Sequence, residues 1–425
     1  MPEPMMDEAA LRDMLERATA VEPPIGPVVG NAVRAGRRRR RRRRVAGAAA
    51  LLAVAAAAGL TVPAVTGTRS TPAPVTGTTP ATVYVASTQG QQSVTPISTT
   101  TNQAGAPIGL GSTDAALAEA ATPDGKTVYV VTLLKNQVIP ISTATNTAGQ
   151  PIRVGKQPLA IAITPDGRTA YVANMGSGTV TPITTATNTP GPAISVGLAD
   201  SRATSLIGIA ITPDGRTVYV LDSNPPYSVV PISTATDRAG KPISVGPGPR
   251  TIAITPDGKT AYVLSASTVT PIDVATNKAG PPIKIGGKPG GIVFTPDSKT
   301  AYVNSLTAGT VTPISVATNT AGTPIKTGKT GFEIAITPDG KTVFVDNLNG
   351  AITPVSTATN TAGTPIRVCA GLVQQIAITP DGKAAYVACS SDVTPVSLAT
   401  DQAGAPIKVP SGVFALVIVA DAARS

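Results

Sequence analysis

Few residues in this chain are equipped for chemistry. It has no histidine and two cysteines, Cys369 and Cys389. Without imidazole there is no Ser-His-Asp or Cys-His nucleophile pair, and no His-ligated zinc, iron or haem. We therefore assign no catalytic, metal-binding or cofactor residue, and the chemistry left to consider belongs to carboxylates. Seven aspartates, Asp124, Asp166, Asp214, Asp257, Asp297, Asp339 and Asp381, recur in a TPDG-type motif. Pro before Asp presets φ and Gly after it supplies positive φ, so each aspartate reads as a turn residue bonded to its own backbone. Near-identical copies do not single out one active site. The Lys or Arg that follows each turn likewise reads as one cation per unit on a solvated rim. A carboxylate-and-metal hydrolase would need acids converging where the repeat units begin. Those segments read IAI, and only Glu119 and Glu333 depart from the pattern.

Departures elsewhere are the better guide to function. An insertion, GLADSRATSLIG at 197–208, carries Asp200 and Arg202. The following loop, LDSNPPYSVV at 221–230, carries Asp222, Asn224 and Tyr227. With GLGSTDAALAE at 109–119 these are the longest loops, and they are expected on one face as a partner-binding surface.

The elements that must position these residues follow from repetition. TPDGKTVYV at 122–130 returns six more times, with aspartate spacings of 42, 48, 43, 40, 42 and 42 residues. A period near 42 that contains several short β segments is the length of a propeller blade. In one unit IAIT (161–164) leads through the PDGR turn to TAYVA (169–173), then to VTPIT (180–184), and PAISVG (192–197) closes it after the ATNTPG turn. Seven of the eight tyrosines, 84, 129, 171, 219, 262, 302 and 386, share one register position with Phe344. One ring per unit predicts packing between blades.

The chain ends predict how the ring closes. TVYVA at 82–86 is a second strand without a first, and FALVIVADA at 414–422 is a first strand without a return. The fold expected is all-β: an eight-bladed propeller of four-stranded antiparallel blades, the C-terminal strand completing the N-terminal blade. Seven blades is the alternative, because LAEAATPD at 117–124 is a poor strand.

Ahead of the repeats, residues 1–44 hold eleven of the 34 cations and six of the 24 anions. The remaining 23 cations and 18 anions leave the rest of the chain nearly neutral, so the net +10 implies no nucleic-acid-binding face. Arg37, Arg38, Arg39, Arg40, Arg41, Arg42, Arg43 and Arg44 abut an uncharged segment at 45–62, about 27 Å long as a helix. That arrangement predicts a single-pass signal anchor with the arginines cytoplasmic, against anionic lipid, and the chain beyond it extracytoplasmic; secretion after cleavage is the alternative. Residues 7–20 have the spacing of a short amphipathic cytosolic helix, and 63–82 read as a Pro/Thr-rich linker before a propeller domain at 83–425. In that oxidising space Cys369 and Cys389, on one face of one blade, are expected to form a disulfide.

The units VTPISTATNTAGTPI, IAITPDGKTVFV and YVAN resemble the YVTN-repeat β-propellers of bacterial and archaeal surface and secreted proteins. The likeness covers 83–422 and implies a monomeric binding or scaffolding module for protein or cell-envelope ligands. Relatives of the architecture include lactonases and haem-binding propellers; the latter rely on histidine ligation, which this chain lacks. Two alternatives remain: a lactonase-like or metal-dependent hydrolase using the channel, and an envelope sensor coupled to the cytosolic tail.

Overall fold

The computed structural model describes residues 80–87, 92–111, 116–196, 206–328, 330–410 and 412–421. The expected cytosolic tail with its arginine block, the expected anchor at 45–62 and nearly all of the expected linker lie outside the described residues. Among the described residues no helix is long and apolar enough to cross a membrane. The chain divides into two units, Met1–Thr71 and Pro72–Ser425, and the second holds the fold described below.

Eight antiparallel sheets form an eight-bladed β-propeller. Blade 3 is typical. Pro158–Ile163 pairs with Thr169–Asn174, which pairs with Thr179–Thr184. The fourth strand differs from the continuous segment expected, being split into Thr189–Pro190 and Ile194–Ser195, both paired to the third. The split has a local cause. Tyr171 faces Pro182 across the second and third strands. The carbonyl of Pro182 points to the outer edge, where it accepts the Gly191 N–H at 2.7 Å. Proline has no N–H to offer on that side, so the edge strand bulges there. A Cβ on Gly191 would sit 3.1 Å from the Pro182 ring, which favours glycine at the bulge.

The first strands pack side by side around the axis. Val413–Ala420 pairs with Ala81–Ser87, so the last strand completes blade 1 and closes the ring. The suspect segment is a strand after all: Ala116–Ala121 pairs with Thr127–Thr132 and makes blade 2. Its alanines are poor β formers, but placement between two neighbouring first strands overrides that weak propensity.

The second strands are buried on both faces, and for that reason they read as continuous apolar runs. In blade 2, Val128 and Val130 join the cluster shared with blade 1, while Tyr129 and Val131 join the cluster shared with blade 3. Each ring therefore enters the seam to the next blade. The seven register tyrosines and Phe344 are all at most 2% exposed.

Two faces result. The turn face carries the TPDG turns and the Thr/Asn turns between third and fourth strands. The loop face carries the connections after second and fourth strands.

Candidate functional site

On the turn face the repeat is closed chemically. Thr122 donates its hydroxyl to Asp124 at 2.7 Å, and Asp124 accepts the Lys126 N–H at 3.1 Å. These donors hold the carboxyl below the usual range, and the same geometry recurs at Asp166, Asp214, Asp257, Asp297 and Asp339. The accompanying Lys or Arg lies 3.2–3.9 Å away in exposed pairs, which contribute little. These groups are turn structure.

The loop face is where the repeat is broken. Four large hydrophobic side chains are markedly exposed among the described residues: Leu134 (41%), Phe332 (50%), Leu348 (48%) and Leu372 (48%). All four lie on the loop face. Phe332 begins the first strand of blade 7, Thr330–Ile336; Leu348 follows the second, Thr342–Asn347; Leu372 lies in the connection to blade 8. That connection is pinned. Cys369 and Cys389 form a disulfide, with Cα atoms 5.8 Å apart, and the Val368 and Cys369 N–H groups both donate to the Gly350 carbonyl. A Cβ on Gly350 would lie 2.3 Å from the Gly371 carbonyl oxygen, so the two loops meet there only through glycine.

Beside these residues sits a pair of acids. Asp346 is 3% exposed and accepts the Glu333 N–H at 3.1 Å. Burial pushes its carboxyl up to about 7, against the opposing pull of the Glu333 and Gly331 N–H groups. Glu333 is likewise raised to about 7, first by burial and then by the charge of Asp346, while the Ile376 N–H of blade 8 favours its charged form. The Asp346 interaction accompanies a break in register between Thr330 and Ile334, so its carboxylate holds an irregular strand start. In blade 6 Asn304 does similar work, accepting the Gly291 N–H and donating to the Gly331 carbonyl at 2.8 Å. Glu333 was legible as an exception, but not its partner. The signal for Asp346 was a charge at a register position where other blades carry Ala86, Val131, Ala173, Leu221, Leu264 and Ala388.

Glu119 is separate from this pair. It lies on the first strand of blade 2, both carboxylate oxygens are buried without a hydrogen-bond partner, and burial raises its pKa well above the usual value. Among the described residues no group of three or more His, Cys, Asp or Glu is placed to hold a metal ion.

The loop candidates divide. Asp200 and Arg202 lie outside the described residues. Asp222 is 6% exposed and accepts the Asn224 N–H at 3.0 Å, so it shapes its own loop. A cis Pro225–Pro226 bond and the positive φ of Tyr227 (57°) turn the chain, and Tyr227 accepts the Val245 N–H at 3.0 Å. Asn224 and Tyr227 remain partly exposed on the loop face.

The fold and these faces define an eight-bladed β-propeller whose loop face has lost the repeat's uniformity. No family model matches the chain, and no curated protein matches it. Solved structures do. Dihydro-heme d1 dehydrogenase NirN, in complex with DHE, is 16% identical with a TM-score of 0.68, over 79% of this chain and 74% of its own. Hydrazine synthase from Kuenenia stuttgartiensis is 23% identical with a TM-score of 0.52, over 67% of this chain and 96% of its own. A functionally unknown protein from Desulfotomaculum acetoxidans DSM 771 is 19% identical with a TM-score of 0.54, over 69% of this chain and 99% of its own. At such identities the likeness is one of fold.

Proposed function

We propose that this chain is a membrane-anchored, extracytoplasmic YVTN-type propeller that binds a protein or cell-envelope ligand through its loop face. The observation that carries the reading is the asymmetry of the two faces. Phe332, Leu348 and Leu372 are about half exposed around blades 7 and 8, where the connecting loop is disulfide-pinned. The turn face instead repeats an ion-paired polar motif. Exposed apolar side chains on a rigid loop frame are what a docking partner buries. The loop with Asn224 and Tyr227 extends the same surface to blade 4.

Two of the structural neighbours are enzymes by title, yet a haem-like cofactor here would find no imidazole in the chain. Glu333 and Asp346 are the acids a hydrolase reading would use. Both already accept backbone N–H groups, which fits a structural role better than a catalytic one.

The test is site-specific photocrosslinking of the full-length chain in native membranes. Probes at Leu348 and Leu372 are expected to give a discrete adduct, and a probe at Lys299 on the turn face is not. Arg202→Ala with Tyr227→Ala is expected to weaken the adduct. Equal labelling from both faces would refute the assignment.

A further inference from the structure

The turn face has its own irregularity, at a single seam. Around the ring a buried tyrosine hydroxyl donates to the left-handed turn residue of the next blade. The pairs are Tyr84 to Asn146 (2.8 Å), Tyr129 to Asn188 (2.6 Å), Tyr171 to Asp237 (2.8 Å), Tyr219 to Asn277 (2.6 Å), Tyr262 to Asn319 (2.6 Å), Tyr302 to Asn360 (2.8 Å) and Tyr386 to Asn102 (2.6 Å). The eighth seam, between blades 7 and 8, has Phe344 where the others have tyrosine. It has Asp401, at φ 54°, where six of the others have asparagine.

Phe344 and Asp401 line an open cleft of about 390 Å³, together with Asp339, Lys341, Ser356 and Leu398. Its volume falls in the range that holds small organic ligands, about 300–1,000 Å³. The charges in the cleft do not cancel. Asp339 is already committed to the Thr337 hydroxyl at 2.6 Å, the Lys341 N–H at 3.0 Å and the Lys341 ammonium at 3.4 Å. Asp401 has no such set of donors, and partial desolvation raises its pKa. Among the described residues the cleft therefore offers one solvent-exposed carboxylate without a protein partner, Asp401, beside the partly exposed Leu398 and over the buried ring of Phe344. An ionised carboxylate bonds a cationic donor about twice as strongly as a neutral one.

We propose that the cleft between blades 7 and 8 binds a small organic cation, whose ammonium or guanidinium group takes the place of the missing tyrosine hydroxyl against Asp401. The apolar part of the ligand lies against Leu398, above the buried Phe344 ring. This site is independent of the loop face and adds to the function proposed above.

The test uses the full-length protein in detergent, with benzylammonium as probe and benzyl alcohol as its neutral counterpart, followed by calorimetry or ligand-observed NMR. Benzylammonium is expected to bind at one site per chain and benzyl alcohol at least tenfold more weakly. Phe344→Tyr returns the hydroxyl and Asp401→Asn removes the charge, each installing the residue that other seams already carry, so both variants are expected to keep the fold. Both should weaken benzylammonium at least tenfold. Tyr171→Phe leaves Asp237 in the condition of Asp401 and is expected to add a second site. Absence of binding, equal affinity for the two probes, or wild-type affinity in folded Phe344→Tyr or Asp401→Asn would overturn the proposal. A stoichiometry still at one in Tyr171→Phe would overturn the role given to the missing hydroxyl.

Discussion

Replacing Glu333 with glutamine is expected to flatten the dependence of stability on pH. In the fold Glu333 titrates near 7 because it is buried and faces Asp346, against 4.5 for the unperturbed group. A folded pKa above the unfolded one means that the native state binds the proton more tightly. The associated stability is complete below about pH 4.5 and is lost as the pH rises through 7. At about 1.4 kcal/mol per pKa unit, Glu333 alone accounts for about 2.5 kcal/mol of stability lost between pH 5 and 8. Asp346, raised from 3.8 to about 7, adds to this in the same direction. Glutamine keeps the shape and removes the titration of Glu333, while Asp346, raised by its own burial, contributes to both proteins. The turn aspartates do not interfere, because their lowered pKa values act only below about pH 4. Glu119 is raised in both proteins, so its slope cancels in the comparison. The assay is thermal unfolding of wild type and Glu333→Gln at pH 5, 6, 7 and 8. An unfolding entropy near 2.1 cal/mol/K per residue gives about 0.7 kcal/mol/K for roughly 340 residues. Wild type should therefore lose about 3–4 °C relative to the variant across that range. Parallel curves from pH 5 to 8 would refute the raised pKa of Glu333.

Three further outcomes follow from the seams, the disulfide and the termini. Tyr219→Phe removes the 2.6 Å bond to Asn277 and is expected to cost about 1 kcal/mol, a fall of one to two degrees in melting temperature; Tyr219→Ala should cost about 3–5 kcal/mol by leaving a cavity between blades. Cys369→Ser with Cys389→Ser opens a loop of about 20 residues and is expected to cost about 3 kcal/mol, and only wild type should lose stability when dithiothreitol is added to the melt. Replacing Arg37–Arg44 with serine should make the propeller inaccessible to protease added outside intact cells in a fraction of molecules, because the cations that fix orientation are gone; unchanged accessibility would count against the anchor reading.

Sequence alone determined the architecture, because a propeller blade is a local object. Its turns, its apolar strands and its ring position are all written within about 42 residues, and the unmatched TVYVA and FALVIVADA segments specified closure before any contact was known. Weak local signals misled where neighbours decide the outcome: the alanine-rich 116–121 segment is a strand because its flanking first strands make it one. The split fourth strand lay hidden in the recurring proline of the third, whose missing N–H faces the outer edge. The candidate sites depended on residues distant in sequence. Phe344 shares the tyrosine register in the sequence, and only the fold sets it in one cleft with Asp401, 57 residues on. Glu333 stood alone as a sequence exception, and only the fold set it beside Asp346 and the backbone of blade 8. Asp222, expected on a partner-binding loop, is 6% exposed and accepts the Asn224 N–H of its own loop, a contact the sequence did not reveal. The physical reason is common to all of these. Repetition fixes what every blade has in common, whereas a site arises at a seam, where one blade's exception meets the next blade's unsatisfied group.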